Sequence, residues 1–233
     1  MDDDNQSSLL TRNFFLVNIH GQIESSSFIG HDYENVYCKC LFRYGPDWAL
    51  VNNANLTTSD KRNNNNNNNN DKDTVFISQM ANRRPDQPGE LPLFVWNLPI
   101  EATFKSTNVF GWPQMIVSVY GMDNLGNDVI RGYGWTHLPI RPGEHRQQIR
   151  LFTPQSTTLL ARIANWFVES RRPEFIDTRL AAGHEGRQLV TIENQGGEVT
   201  ILLNVLFKDF KNYDQKQYKK VIKKFNGLQR FVI

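Results

Sequence analysis

The stretch WNLPIEATFKSTNVFGWPQMIVSVYGMDNLGNDVIRGYGW, Trp96 to Trp135, carries three of the chain's five tryptophans and decides the reading of the fold. In Phe94, Trp96, Leu98, Ile100, Ala102 and Phe104 every second residue is apolar, while Asn97, Pro99, Glu101, Thr103 and Lys105 fill the positions between. That period of two is the pattern of a strand with one buried face. Met115 to Tyr120 is β-branched, lies between Pro113 and Gly121, and reads as a buried strand. After the turn Asp123 to Asp128 a third run starts at Val129 and holds Arg131, Gly132, Tyr133 and Gly134. Glycines inside a strand weaken it unless a bulge, a close backbone approach or a ring packed across them uses the missing side chain.

Working outward, the N-terminal half supplies two more alternating runs. Phe15, Val17 and Ile19 share one face of a strand that should stop at the polar run Glu24 to Ser27. Val36, Cys38, Cys40 and Phe42 share a face of the next, which exits through the turn Gly45-Pro46-Asp47. Eight consecutive asparagines, Asn63 to Asn70, sit in a polar tract at about 52–73 that cannot offset the entropy of ordering, so it reads as a disordered loop insertion. Thr74 to Gln79 adds a short strand before the Pro-rich stretch 84–92.

On the C-terminal side Gln147 to Phe152 reads as a strand. One inserted α-helix follows at about 156–170, capped by Ser156, with Leu159, Leu160, Ile163, Trp166 and Phe167 on one stripe and Arg171-Arg172-Pro173 ending it. Gln188 to Ile192, the turn Gln195-Gly196-Gly197, and Val199 to Phe207 should close the domain as a hairpin. Eight or nine short strands with frequent turns describe an all-β, antiparallel β-sandwich. The chain divides into a disordered leader at 1–12, one domain at 13–209 and a basic tail at 210–233.

Composition narrows the function. With 39% hydrophobic and 12% aromatic residues in 233, most of the chain can build a core. The net charge of +2 hides an asymmetry: from Lys208 onward eight basic residues face two acidic ones, +6 against −4 for the rest. A mildly acidic body is not the footprint of a nucleic-acid binder. Cys38 and Cys40 lie two apart in a strand, point the same way, and read as small buried hydrophobes in a reducing compartment. The acidic, polar start is no secretory signal and no apolar run is long enough to span a membrane, so the expected location is the cytosol.

Catalytic motifs were sought in the same way. There is no nucleophile elbow, phosphate loop or complete dinucleotide fingerprint, and the five histidines have no metal-ligand spacing. Asp123 and Asp128 read as turn residues, since hard cations need several oxygens and no second aspartate-rich loop matches them. In the tail, Lys216, Lys219, Lys220, Lys223 and Lys224 surround Tyr218, Val221, Ile222 and Phe225, a pattern open to a solvated tail or a lipid-contacting segment.

Val95-Trp-Asn-Leu-Pro-Ile100, Thr103 to Asn108, Gly111-Trp-Pro-Gln114, Val117 to Gly121 and Gly126 to Gly134 resemble the B9-domain family. Asn18 to Glu24, Tyr37-Cys-Lys39, Tyr44 to Trp48, Thr153 to Ser156, Trp166-Phe167 and Arg171 to Glu174 fit in the same order, so the likeness runs from about Phe14 to Asp209. The asparagine tract and the lysine-rich tail fall outside it.

That resemblance implies a C2-like sandwich and a non-enzymatic role without metal or cofactor. It also implies membership of a multiprotein complex at the cytoskeletal base of the cilium, the basal body and transition zone. Its expected partners there are other B9-domain proteins and tectonic-like membrane proteins, and its expected task is cilium assembly and gating of ciliary membrane proteins. The residues that carry it, Trp96, Asn97, Pro99, Phe104, Lys105, Gly111, Trp112, Pro113, Arg131, Gly132, Tyr133 and Gly134, become the candidates for partner binding. A second reading, a peripheral lipid-binding module in membrane trafficking, rests on the C2-like kinship and the cationic tail.

Overall fold

A computed structural model describes residues 14–29, 33–52, 74–84, 92–123, 126–155, 174–175, 177–182 and 191–210. The expected helix at 156–170, the leader, nearly all of the asparagine tract and the tail lysines lie outside the described residues. Those residues form ten antiparallel strands: β1 (Phe15–Phe28), β2 (Asn35–Arg43), β3 (Trp48–Asn52), β4 (Phe76–Ile77), β5 (Ala81–Asn82), β6 (Leu93–Ser106), β7 (Gln114–Met122), β8 (Asp128–His137), β9 (Gly143–Gln155) and β10 (Thr191–Lys208). A short 3-10 helix covers Thr178–Ala182.

All ten belong to one sheet that curls on itself, in the order β3-β6-β1-β10-β9-β8-β7-β2-β4, with β5 on β2. Strands β9 and β8 meet at the single pair Tyr133 and Phe152, so the sheet folds over there into two layers. The inner residues of both layers form one core: Phe15, Val17 and Ile19 of β1, Trp96 and Phe104 of β6, and Ile201, Leu203 and Val205 of β10 meet Cys38, Cys40, Val117 and Val119. Trp96 ties the layers directly, its Nε1 donating to the Val36 carbonyl at 3.0 Å. The architecture is the β-sandwich that the alternations imply, in the C2-like form that the resemblance implies.

The layers bend where strands gain residues. Against one step of β10 (Ile201 to Thr200), β1 takes two (Ile23 to Ser25) and β6 takes three (Leu98 to Val95). This fan-shaped bulge reverses the parity of β1, so that Ile23 and then Ser26 and Phe28 face inward, and Asn97 sits at φ 47 where β6 absorbs the excess. The polar run Glu24 to Ser27 therefore does not end β1. Its backbone groups are laddered on both sides, by β6 and β10, which outweighs the polarity of its side chains.

The expected hairpin around Gln195-Gly196-Gly197 is corrected in the same way. β10 is one strand; Asn194 pairs with Phe152 and Glu198 with Arg150, so residues 195–197 bulge opposite Leu151 alone. Gly196 has φ 64, and a Cβ on Gly197 would lie 2.8 Å from the Phe28 ring, so these glycines serve a bulge and a ring contact instead of a reversal. β9 is also longer than expected, and β3 and β5 are additional short strands. In β8 the step from Ile130 to Gly132 against Tyr120 and Val119 is a bulge at Arg131.

The two outer faces differ. Outside β6, β1, β10 and β9 the residues are mostly polar, with Glu24 and Arg146 paired at 2.9 Å and Leu206 left exposed among them. Outside β7 and β8, Ile116, Ile130 and Tyr133 form a second core with Ala181 and Ala182 of the 3-10 helix, joined by Leu41, Trp135, Phe152 and Phe175.

The fold-over needs β8 to lie flat on β9. A Cβ on Gly134 would sit 2.6 Å from Ile149 Cγ2 and 3.2 Å from the Arg150 carbonyl oxygen. Gly134→Ala is therefore expected to lower stability by about 1–3 kcal/mol through overpacking, read as a lower urea midpoint. An unchanged midpoint would mean that β9 yields freely and that the contact does not constrain the fold.

Candidate functional site: the loop end of the sandwich

Three connections gather at one end of the sandwich: 44–47 after β2, 107–113 after β6, and 138–142 after β8. They are fixed by indoles. Trp48 Nε1 donates to the Phe110 carbonyl at 2.8 Å and Trp112 Nε1 to the Leu138 carbonyl at 2.9 Å, while the two rings meet edge-on at 5.1 Å. The Gly45 N–H donates to the Gly111 carbonyl at 2.9 Å, and a Cβ on Gly111 would come within 2.5 Å of Gly45 Cα. Asn108 holds the loop from inside: its Oδ1 accepts from the Phe110 N–H at 3.0 Å and its Nδ2 donates to Asp47 Oδ2 at 3.2 Å.

The backbone of residue 110 is thus held on both its N–H and its carbonyl, yet the Phe110 side chain is 63% exposed. Beside it the chain leaves β10 through Phe210, whose ring packs on Phe15 at 4.9 Å, Phe207 at 5.0 Å and Trp112 at 6.3 Å. An apolar tip on a stiff loop therefore stands next to the origin of the cationic tail.

The sequence-based candidates divide by exposure. Trp96, Phe104, Trp112, Pro113, Arg131, Gly132, Tyr133 and Gly134 are buried; Asn97, Pro99, Lys105 and Gly111 are exposed. Arg131 is only 3% exposed, caps the Tyr33 ring at 4.4 Å and donates from Nη2 to the Met122 carbonyl at 2.8 Å. Gly121 makes room for it, since a Cβ there would meet Arg131 Nε at 3.0 Å. This cation clamps the β7–β8 hairpin and is not presented on a loop. The exposed tip itself, Phe110, was absent from the candidates. Its residue type carries no signal of exposure, and only the neighbouring Asn108 and Gly111 hint at a turn.

Tyr133 organises the other covered face. The Phe175 N–H donates to its hydroxyl at 3.3 Å, and that hydroxyl donates to Tyr120. Tyr120 stacks on Tyr37 at 5.4 Å with Lys39 Nζ 4.5 Å over its ring, and Tyr37 donates to Asp128 at 3.0 Å. Asp123 accepts from the Asn127 N–H at 2.8 Å, which closes the turn as expected. Among the described residues no three His, Cys, Asp or Glu side chains group to hold a metal.

A C2-type sandwich with a built loop end is thus the class of protein that the fold defines. A family model described as "Ciliary basal body-associated, B9 protein" matches residues 17–206. B9 domain-containing protein 1 of Mus musculus is 44% identical over 197 residues, 84% of each chain, and that of Homo sapiens is 42% identical over the same length, again 84% of each. B9 domain-containing protein 2 of Bos taurus is 24% identical over 84% of this chain and 96% of its own. The chain belongs to the B9 family, a ciliary family.

The buried acids of this framework make it sensitive to alkali. Burial pushes the Cys38 thiol from 9.0 up to about 12, partly opposed by a hydrogen bond with Ser78. Burial also raises Cys40, Tyr37, Tyr120 and Tyr133, with Asp128 adding to Tyr37. The folded state favours the protonated forms, so their contribution is complete below the unfolded values. It falls as pH climbs through the window from about 9 to 12, where only the unfolded chain ionises freely. Urea midpoints should drop across that window, less steeply in Cys38→Ala/Cys40→Ala. A midpoint flat to pH 11 would contradict the burial of these groups.

Arg131→Ala should cost about 2–4 kcal/mol, the scale of a desolvated cation–π contact plus a charged hydrogen bond, and Arg131→Lys less. Thermal melts of both variants check this, and a loss within 0.5 kcal/mol, about the scatter of neutral surface changes, would contradict it.

Proposed function

We propose that this chain is a non-enzymatic scaffold component of a multiprotein complex at the ciliary basal body and transition zone. Its work there is cilium assembly and gating of ciliary membrane proteins. One observation carries the reading: the family's signature groups, Arg131, Tyr133 and the indoles, are engaged inside the fold, while a stiffened loop holds Phe110 outward. Binding favours such pre-organisation, because little entropy remains to be lost when the tip is covered. The partners proposed are other B9-domain proteins and tectonic-like membrane proteins, docked on the 107–113 loop, which includes Gly111, with Lys105 at its border. One domain at 13–209 would carry this surface, and the tail at 210–233 would act separately.

A tagged copy is expected at basal bodies and to co-purify with B9-family proteins. Phe110→Glu should keep the parental melting temperature and lose most of that recovery. A tagged protein spread evenly through the cytoplasm, eluting as a lone monomer, would sink the scaffold reading.

The shared position of Phe110 and the tail's origin also supports a second reading, a peripheral lipid-binding module. An exposed apolar side chain on a domain whose sequence continues into a lysine-rich tail suits an anionic membrane surface. Anionic liposomes should then sediment the full chain, and removal of 211–233 or Phe110→Glu should release it, with or without calcium. Failure to sediment in every condition discards this reading and leaves the scaffold untouched.

A further inference from the structure

Strand β6 is paired with β1 along its length, from Ser106 opposite Phe15 to Leu93 opposite Ser27. On its other side β3 covers only Ser106 to Thr103 and then leaves at Asn52. Past the far end the Arg84 N–H donates to the Leu93 carbonyl at 3.1 Å. Among the described residues nothing pairs with the outer edge of β6 between these points. An uncovered edge beside a hydrophobic core is a template for another strand.

The chemistry of that edge is unusual. In an antiparallel ladder alternate residues aim their N–H and C=O at opposite neighbours. Proline has no N–H, so Pro99 fits within a paired strand only where its nitrogen faces away from β1. Pro99 and Glu101 therefore aim outward, whereas Ile100, opposite Gly21, bonds inward. The free edge offers the Pro99 carbonyl, the Glu101 N–H and the Glu101 carbonyl. Asn97 at φ 47 bends the strand where the edge ends.

We propose that Pro99 and Glu101 keep this edge from pairing with a second copy of the chain. The window left open, Leu98 to Ala102, is centred on Ile100, so two copies would meet about a two-fold axis there with Pro99 opposite Glu101 and Glu101 opposite Pro99. Each such pair should exchange two hydrogen bonds. Each keeps one, from the Glu101 N–H to the Pro99 carbonyl, and leaves the carbonyl of that same Glu101 desolvated without a donor. The two Glu101 carboxylates come to lie on the same face roughly 7–8 Å apart, the spacing of diagonal neighbours, where like charges repel. Both residues are exposed on the monomer and strain nothing there. The guard thus acts against one wrong association at no cost to the fold, and leaves the loop end free for other proteins.

The test is self-association of the full chain and of Pro99→Thr/Glu101→Thr, followed by size exclusion with light scattering over a concentration series. Gln22→Thr, on the neighbouring interior strand opposite Pro99, is the control. The double variant is expected to dimerise at least roughly tenfold more tightly than parent and control, the scale of two regained ladder bonds. If it melts cooperatively and keeps the parental mass throughout, the proposal is overturned. Hydrogen exchange on the parent decides independently of whether the variant folds. A fast-exchanging Glu101 amide is expected, and one protected like Ile100 would show the edge already covered and overturn the guard.

Discussion

Everything in this molecule depends on how a single ten-stranded sheet closes over itself. The two layers are not separate sheets brought together; they are joined at one pair, Tyr133 and Phe152, where β8 crosses onto β9. A continuous sheet can turn so sharply only if the strands at the corner approach without side chains between them. Gly132 and Gly134 supply that, facing Leu151 and Ile149 at distances that exclude a Cβ. On the same strand, the bulge at Arg131 turns one residue out of register and inward, over Gly121 and onto Tyr33. Corner, bulge and buried cation form one device, which explains why glycine, tyrosine and arginine crowd into four consecutive positions.

A second distortion, at Glu24, completes the shape. Adding one residue on β1 and two on β6 makes the first layer fan out on one side, which coils it around the other. The coiling brings the Trp96 indole to the Val36 carbonyl across the core. It also leaves β6 longer than β3 can cover. The open edge follows from the same irregularity that closes the sandwich, and the residues that guard it sit within a few positions of the bulge.

How much of this was legible in the chain can be argued residue by residue. Alternation found the inner faces of β1, β2, β6 and β10, because a period of two survives wherever one face is buried. It failed at Glu24 to Ser27 and at Gln195 to Gly197, where polar residues and glycines imitate a chain end or a turn. What overrules them is pairing on both sides, a long-range fact with no local sequence signal. Gly132 and Gly134 announced an irregularity but not its partners, Leu151 and Ile149 on β9. The candidate site was legible as a family signature and misleading as a surface. Tryptophan, tyrosine and arginine are common at interfaces, and the same types are needed where a buried donor must reach a carbonyl. Nothing local separates the two uses.

The division between the outer faces then limits where recognition can occur. The outer face over β1, β6, β10 and β9 is mostly polar, with Glu24 paired to Arg146 and Leu206 exposed among its strands, so covering it gains less than covering a contiguous apolar patch. The apolar face over β7 and β8 is covered by the chain's own Phe175, Ala181 and Ala182, so a partner would have to displace it. That leaves the ends and the strand edges that no described residue covers, the middle of β6 among them. The edge is blunted by Pro99 and Glu101, while at the loop end three backbone hydrogen bonds and two indoles hold Phe110 in water. Desolvating that ring would contribute to binding without loosening the loop, because the bonds that stiffen it are made by its backbone and by Asn108, not by the ring. A sandwich that has used its signature residues internally can still be specific, provided that a loop held by its own hydrogen bonds also presents an exposed apolar side chain.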